Sequence, residues 1–378
     1  MVQVVNNFDE LEEDWNLIYD SELHTVFQSF SYNKLAWDLT SKKKKLYLLV
    51  YKDNQNTIQC ILPTCLNTRK ELRFINDHST DFCDCILAKN VRTLDFVEEL
   101  CSFIDNHKEI HSIIFENLLP SSKLLPYFKI FEKSSFVYSL NEFSYIKCKT
   151  QNEPFENFTN LNNIKKKKLR NIIRKSESLD FSIYKKGKDL PIKDLKVLFS
   201  IMVNNGLRSP YEYQSNFWHF INECYNNDIL EIALLKNSDG PLSAGLVFFN
   251  EKMSVRWVIF YSETKYNLWN NVNYIKIKAT DLSHDHIINF GRGGYDYKIN
   301  NFKPSLGMLY AIAYSKTFVG NIRILYIINL YYIKRVFKHR IDSIGLRSRI
   351  NTLGSIIHRK KLSKVDFKRS VNSIDDKT

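Results

Sequence analysis

The stretch Asn289–Ser305, NFGRGGYDYKINNFKPS, decides how the rest of the chain is read. It is entered from a short apolar run, Ile287-Ile288-Asn289-Phe290, which has the character of a strand end. Gly291, Gly293 and Gly294 follow, with Arg292 among them. Glycine accepts positive φ and close backbone approach, so such a cluster after a strand reads as a tight, ligand-facing turn. Beyond it, Tyr295, Asp296, Tyr297 and Lys298 alternate in character. That alternation predicts a strand or extended arm, with Asp296 and Lys298 on one face and the tyrosines on the other. A carboxylate and an ammonium side by side can move a proton and stabilise a developing oxyanion. The plainer alternative is a glycine turn carrying a surface ion pair.

At 378 residues the chain exceeds one typical domain, so two are expected. A hydrophobic content of 44% with 25% charged residues is enough for a sizeable core. The net charge of +13 is concentrated: residues 321–378 hold 14 Lys and Arg against four Asp. Basicity therefore belongs to the tail and says little about the body. A tail of this kind attracts anionic lipid or nucleic acid. The seven cysteines are odd in number and include no CxxC. They predict buried free thiols in a reducing compartment, with no disulfide or metal role. The N-terminus, MVQVVNNFDELEEDW, is acidic and polar and reads as lacking a signal peptide. The longest apolar run, Ile324–Ile333, is about half of what a bilayer span requires.

Residues 8–40 read as two helices, capped by Asp9 and Ser31. Strands follow at Leu46–Lys52 and Thr57–Leu66, with Pro63 marking an edge or bulge. Glu71–Asn76, Phe82–Ala88 and Ser112–Phe115 are shorter strands, and Phe136–Cys148 is a strand pair. Apolar spacing predicts a helix over Leu94–His107, and another is expected over Ser121–Phe131. Gln151–Pro154 reads as a boundary. The basic run that follows places Arg170 and Arg174 on one helix face. That face is either a solvated surface or an anion site for a phosphate-bearing ligand.

Up to about residue 316, helices and strands then alternate around a mainly antiparallel sheet. Leu242–Asn250 and Met253–Tyr261 form a hairpin, and a long helix is expected from about Asn270 to His286. The head of that helix is suited to a diphosphate, such as that of acyl-CoA or a nucleotide. His284, Asp285 and His286 near its end lack further ligands for a metal, and read as a helix cap or a source of a general base. Tyr261 either donates to a leaving thiolate or is an interior strand aromatic. The tail helix Ile322–Arg340 suits an anionic bilayer surface or packs on the body.

Taken together, KKKKLRNIIRKSE, LFSIMVNNGLRSPYEYQSNFWHF, EIALLKNSDGPLSAGLVFFNEKMSVRWVIFYSETKY and INFGRGGYDYKINNFKPS resemble the GNAT-type acyltransferase domain of the CelD-like proteins of bacterial polysaccharide clusters. These are relatives of the Fem peptidyltransferases. The resemblance spans about residues 10–316 and is strong after Asn162. It implies an α/β fold with a mixed α+β sheet and tandem GNAT-like domains, a degenerate one at 1–150 and an acyltransferase domain at 151–320; the basic helical tail at 321–378 lies beyond the resemblance. It implies an acyl-CoA co-substrate, no metal, and transfer to an amine or hydroxyl of a sugar or envelope precursor. Lys298 matches the lysine tied to catalysis in the Fem relatives, and Phe302 the aromatic after it. Asp296 and Tyr261 join Lys298 as catalytic candidates. Arg170, Arg174, Asn271, Arg292, Tyr297 and Phe302 are the binding candidates. The expected location is cytoplasmic, with the tail at the inner face of the cytoplasmic membrane. One departure stands out: Leu268–Asn273 has no glycine where most relatives carry a turn at the head of the long helix. Two alternatives remain, a Fem-like transferase using aminoacyl-tRNA and a non-catalytic scaffold in polysaccharide assembly.

Overall fold

Proline has no N–H to give to a β-ladder, and the run Thr57–Leu66 breaks at Pro63 for that reason. A computed structural model describes residues 1–89, 91–125, 135–148, 163–209, 215–281, 286–292 and 296–343. In it, β1 (Val2–Val5), β3 (Leu48–Lys52), β4 (Ile58–Leu62) and β7 (Ile86–Leu87) form a four-stranded sheet in that order. Past Pro63, β5 (Thr64–Leu66) leaves for a second sheet, and β2 (Lys45–Leu46) parts from β3 at Tyr47 in the same way. The two changes of sheet are clamped together. Tyr47 N–H donates to the Thr64 carbonyl at 3.1 Å, and the Thr64 hydroxyl donates to the Tyr47 carbonyl.

The second sheet has eleven strands and joins the two halves of the chain. From the C-terminal half come β10 (Asp180–Tyr184), β11 (Leu230–Asn237), β12 (Gly240–Phe249), β13 (Met253–Tyr261), β14 (His286–Arg292) and β15 (Ser305–Ser315). From the first 150 residues come β2, β5, β6 (Glu71–Phe74), β8 (Ser112–Leu118) and β9 (Ser135–Cys148). The order is β10-β11-β12-β13-β14-β9-β15-β8-β6-β5-β2. Thus β9 lies between β14 and β15, antiparallel to both. Residues 151–154, read as a boundary, and most of the helix expected at 121–131 lie outside the described residues.

The helices are α1 (Glu12–Ile18), α2 (Phe30–Thr40), α3 (Thr93–Asn106), α4 (Asn163–Ser176), α5 (Ile192–Asn204), α6 (Ser215–Asn226), α7 (Thr264–Asp281), α8 (Asp296–Phe302) and α9 (Phe318–Ser343). Ser29, not Ser31, caps α2, its hydroxyl accepting from Tyr32 N–H. The mixed α/β class and the hairpin of β12 and β13 agree with the sequence reading.

The long helix does not begin at Asn270. It begins at Thr264 and ends before His286, which opens β14. Asn267, Asn270, Asn271, Val272, Tyr274, Ile275 and Lys278 are its buried residues. Its first turns bury asparagines, and the apolar Val272 and Ile275 come only later, so apolar periodicity does not reveal its start. Apart from Asn271 Oδ1, its buried polar side chains are hydrogen-bonded, as such groups generally are. Asn270 Nδ2 donates to the Ala233 and Ser243 carbonyls (2.8 and 3.1 Å), and its Oδ1 accepts from Arg256 Nη2 at 2.6 Å. Lys278 Nζ meets the fully buried Glu231 carboxylate at 2.9 Å.

At the other end of the large sheet, α9 covers β8 and β15 with Ile324, which is buried beside Ile114 and Ala313. Arg323 pairs with Glu71 at 2.7 Å, and Tyr331 OH donates to Glu116 at 3.2 Å. Ile324→Ala is expected to cost about 2–4 kcal/mol in urea unfolding, as for a large-to-small core change. The adjacent, outward-facing Leu325→Ala should stay within about 0.5 kcal/mol. Equal effects from the two would overturn this orientation of the helix.

Candidate active site

β13 and β14 pair in parallel over only three positions, Met253↔Ile287, Ser254↔Ile288 and Val255↔Asn289. Parallel pairing brings the C-terminal ends of both strands, Tyr261 and Arg292, to the same edge of the sheet, where α7 also begins. Two local devices shape that edge. The first is a bulge between β12 and β13. Leu246 faces Val258 and Val247 faces Arg256, so Trp257 is the extra residue. Its indole N–H reaches across to the Ser79 carbonyl at 2.9 Å. The second is Gly291, at φ +72°. A Cβ there would stand 2.9 Å from Asp81 Oδ2 and 3.1 Å from the Arg256 carbonyl, so the close approach requires glycine.

Both devices receive the loop that follows β6 in the N-terminal half. Arg292 Nε lies 2.7 Å from Asp81 Oδ1, and its Nη2 donates to the His78 carbonyl at 2.9 Å. Asn117 adds a 3.5 Å contact to Arg292 Nη1 and holds the loop from beneath, donating to the Asp77 and Thr80 carbonyls. Asp81 is buried, and desolvation pushes its pKa up against the pull of Arg292 and Lys298.

Lys298 completes this cluster. It is only 2% exposed, and its Nζ donates to the Phe290 carbonyl at 2.6 Å and the Arg292 carbonyl at 3.4 Å. Burial pulls its pKa down to about 8, with the charge of Asp81 opposing the shift. An ammonium in that range, out of water, is a strong point charge and releases its proton far more readily than a surface lysine.

The extended arm expected at Tyr295–Lys298 is not found. Asp296–Phe302 is the short helix α8. On a helix, residues two apart do not face each other, so Asp296 and Lys298 cannot share a face as on a strand. The buried pair that sets the local structure is Lys298 and Phe302, four apart, with Phe302 stacked on Phe290 at 5.1 Å. The carboxylate acting on Lys298 is Asp81. The side chains of Asp296 and Tyr297, and residues 293–295, lie outside the described residues.

The remaining candidates are spread around this centre. Arg170 and Arg174 are exposed on α4, whose Leu169 and Ile172 pack in one cluster with Phe290 and Phe302. Lys168 Nζ donates to Asn301 Oδ1 at 2.9 Å, tying that basic helix to α8. Tyr261 is half-buried, and burial raises its pKa while Arg208 lowers it. Asn271 is interior, its amide donating to Asn267. The stretch Leu268–Asn273 is the inside of α7, not the turn before it; that turn is Ser262-Glu263. His286 is buried between Ser254 Oγ (2.8 Å) and the Glu251 carbonyl (3.1 Å), and burial pulls its pKa down to about 4. It does not cap α7, and it stays neutral at physiological pH. His284 and Asp285 lie outside the described residues. Among the described residues no cluster suits a metal ion. Asp81, His78, Asn117 and Trp257 are the members of the site that sequence reading missed. None sits in a local pattern that distinguishes it.

No family model matches the chain, and no curated protein does. Solved structures do. The C-terminal domain of a putative lysylphosphatidylglycerol synthetase from Agrobacterium fabrum is similar with TM-score 0.55 at 12% identity, over 84% of this chain and 96% of that one. FemX is similar with TM-score 0.53 at 8% identity, over 82% and 96%. A tandem GNAT protein from the clavulanic acid biosynthesis pathway gives TM-score 0.50 at 9% identity, over 84% and 99%. The likeness at this level shows the fold, which is GNAT-like.

The lowered pKa of Lys298 has a signed consequence. Between about pH 8 and the unfolded value of 10.5 the folded state binds fewer protons than the unfolded one. Stability therefore rises with pH across that window, and the cost of burying the ammonium is present in full below it. In denaturant titrations from pH 7 to 10, wild type should gain on the order of 2 kcal/mol relative to Lys298→Met. A pH-independent difference between the two would contradict the burial of a charged Lys298.

Proposed function

We propose that the protein is an acyltransferase in which an acceptor amine or hydroxyl attacks an acyl donor directly, at the edge formed by the C-terminal ends of β13 and β14. The observation that carries this reading is Lys298, a buried lysine with a pKa near 8 at that edge of a GNAT-like fold. Lys298 stabilises charge on the tetrahedral intermediate, where a point charge in a dry site acts most strongly. Asp296, in the first turn of α8, or a water takes the proton from the attacking group. Tyr261 donates to the departing thiolate. The donor is acyl-CoA, with its diphosphate near Ser262-Glu263 and the head of α7. Arg170, Arg174 and Tyr297 bind the anionic part of the donor or acceptor. Arg292 holds Asp81, and Asn271 and Phe302 support the site from the interior. The acceptor is a sugar or cell-envelope precursor, as in the CelD-like branch, and the protein acts in the cytoplasm. The chain divides at about residue 150 into a supporting half and a catalytic half, with the basic tail beyond residue 320.

A second reading, aminoacyl transfer from tRNA, is favoured by two observations. The fold is shared with FemX and with a protein named for lysylphosphatidylglycerol synthesis. The exposed basic face of α4 borders α8, as a phosphate-bearing donor would need. The scaffold reading keeps its motive: Leu268–Asn273 is helix interior, but the turn that does precede α7, Ser262-Glu263, carries no glycine either.

Incubation with acetyl-CoA or with aminoacyl-tRNA, followed by mass analysis of sugar and envelope-precursor acceptors, separates the two donors. With the productive donor, Lys298→Ala should lower kcat by about a hundredfold or more and leave donor binding nearly unchanged. Wild-type turnover in that variant would remove Lys298 from the chemistry.

A further inference from the structure

Half of the exposed large hydrophobic side chains among the described residues lie on one helix, α9. Elsewhere such residues are scattered, which is normal for a protein surface. On α9 they form a stripe. Phe318, Ile322, Leu325 and Tyr326 stand on consecutive outward turns, and Tyr332 and Ile333 continue the same face. The opposite face is already used: Ile324, Ile327, Ile328 and Tyr331 turn toward the body. The helix is thus apolar on two sides, and the body accounts for one of them. Leu325 and Ile322 cannot be explained as core.

We propose that the outer face of α9 docks on the surface of an anionic lipid bilayer. The charge pattern selects this occupant. No Asp or Glu occurs between Asp296 and Asp342, and residues 321–378 carry 14 Lys and Arg. Lys334, Arg335, Lys338 and Arg340 follow the apolar stripe directly in sequence. An apolar stripe continued by cations is what an interfacial helix needs, since the first enters the acyl boundary and the second meets the phosphates. A nucleic acid would use the cations and leave the aliphatic stripe without a role. A second copy of this chain would bring two basic tails together and repel. The attachment is peripheral, because among the described residues no helix is long and apolar enough to cross a membrane. This inference stands apart from the identity of the acyl donor and acceptor.

Truncating the tail is a poor test, because it would also remove Ile324 and the Arg323–Glu71 pair. The informative variant is Ile322→Asn combined with Leu325→Asn, which removes the stripe at constant charge. The full-length protein is sedimented with vesicles of phosphatidylcholine alone and of phosphatidylcholine mixed with phosphatidylglycerol, at low and high salt. Wild type should follow the mixed vesicles and not the neutral ones, and salt should weaken the binding. The double variant, with an unchanged circular dichroism spectrum, should bind about tenfold less tightly or worse. Several results would overturn the proposal: wild type staying in solution with the mixed vesicles at low salt, or the variant binding as well as wild type. A lipid-free wild-type dimer that the variant dissolves would give the face to a second copy. Vesicle binding that appears only after removal of residues 344–378 would give it to that segment. Steeply salt-dependent RNA binding without vesicle binding would give it to nucleic acid.

Discussion

The Asp81–Arg292 ion pair is the contact on which the geometry of the site depends. Asp81 belongs to a loop of the N-terminal half, and Arg292 ends a strand of the C-terminal half. Their approach requires Gly291 to have no Cβ, the loop to be held by Asn117, and the bulge at Trp257 to catch Ser79. The same backbone that carries Arg292 offers the Phe290 and Arg292 carbonyls to Lys298. A carboxylate left buried without Arg292 would be costly, so the loop and the strand are held as one unit. The N-terminal half therefore helps to build this edge of the sheet.

The C-terminal half places other charges in its interior and satisfies them in the same way. Glu231 is fully buried and meets Lys278 and the Tyr274 hydroxyl, while Arg256 lies over the Tyr274 ring and binds Asn270. These groups pin α7 to β11 and β13. They leave the head of α7, at Ser262-Glu263, as the exposed end of that helix beside the site. Together these contacts anchor α7 behind the edge of β13 and β14.

Where local chemistry determined local structure, the sequence was readable. The hairpin of Leu242–Asn250 and Met253–Tyr261 is an example, as is the glycine at position 291. Three features were not readable, each for a different reason. Tyr295–Lys298 matches a period of two, but burial of Lys298 and Phe302 four residues apart selects a helix. The inner face of α7 opens with Asn267, Asn270 and Asn271, and its apolar members Val272 and Ile275 come only later, so apolar periodicity could not locate its start. Asp81 is paired with a residue far along the chain, and only tertiary structure brings the two together. Pro63 lies between these cases: the break was visible, but the departure of β5 to a different sheet was not.

The most direct measurement is a double-mutant cycle between the two halves, with Asp81→Asn, Arg292→Met and the double variant compared by urea unfolding. The pair is mostly shielded from water and 2.7 Å long, so a coupling of about 1–3 kcal/mol is expected. Each single variant should also lose more stability than half the double variant does, because each strands the other group. Additivity to within about 0.5 kcal/mol would contradict a site assembled from both halves of the chain.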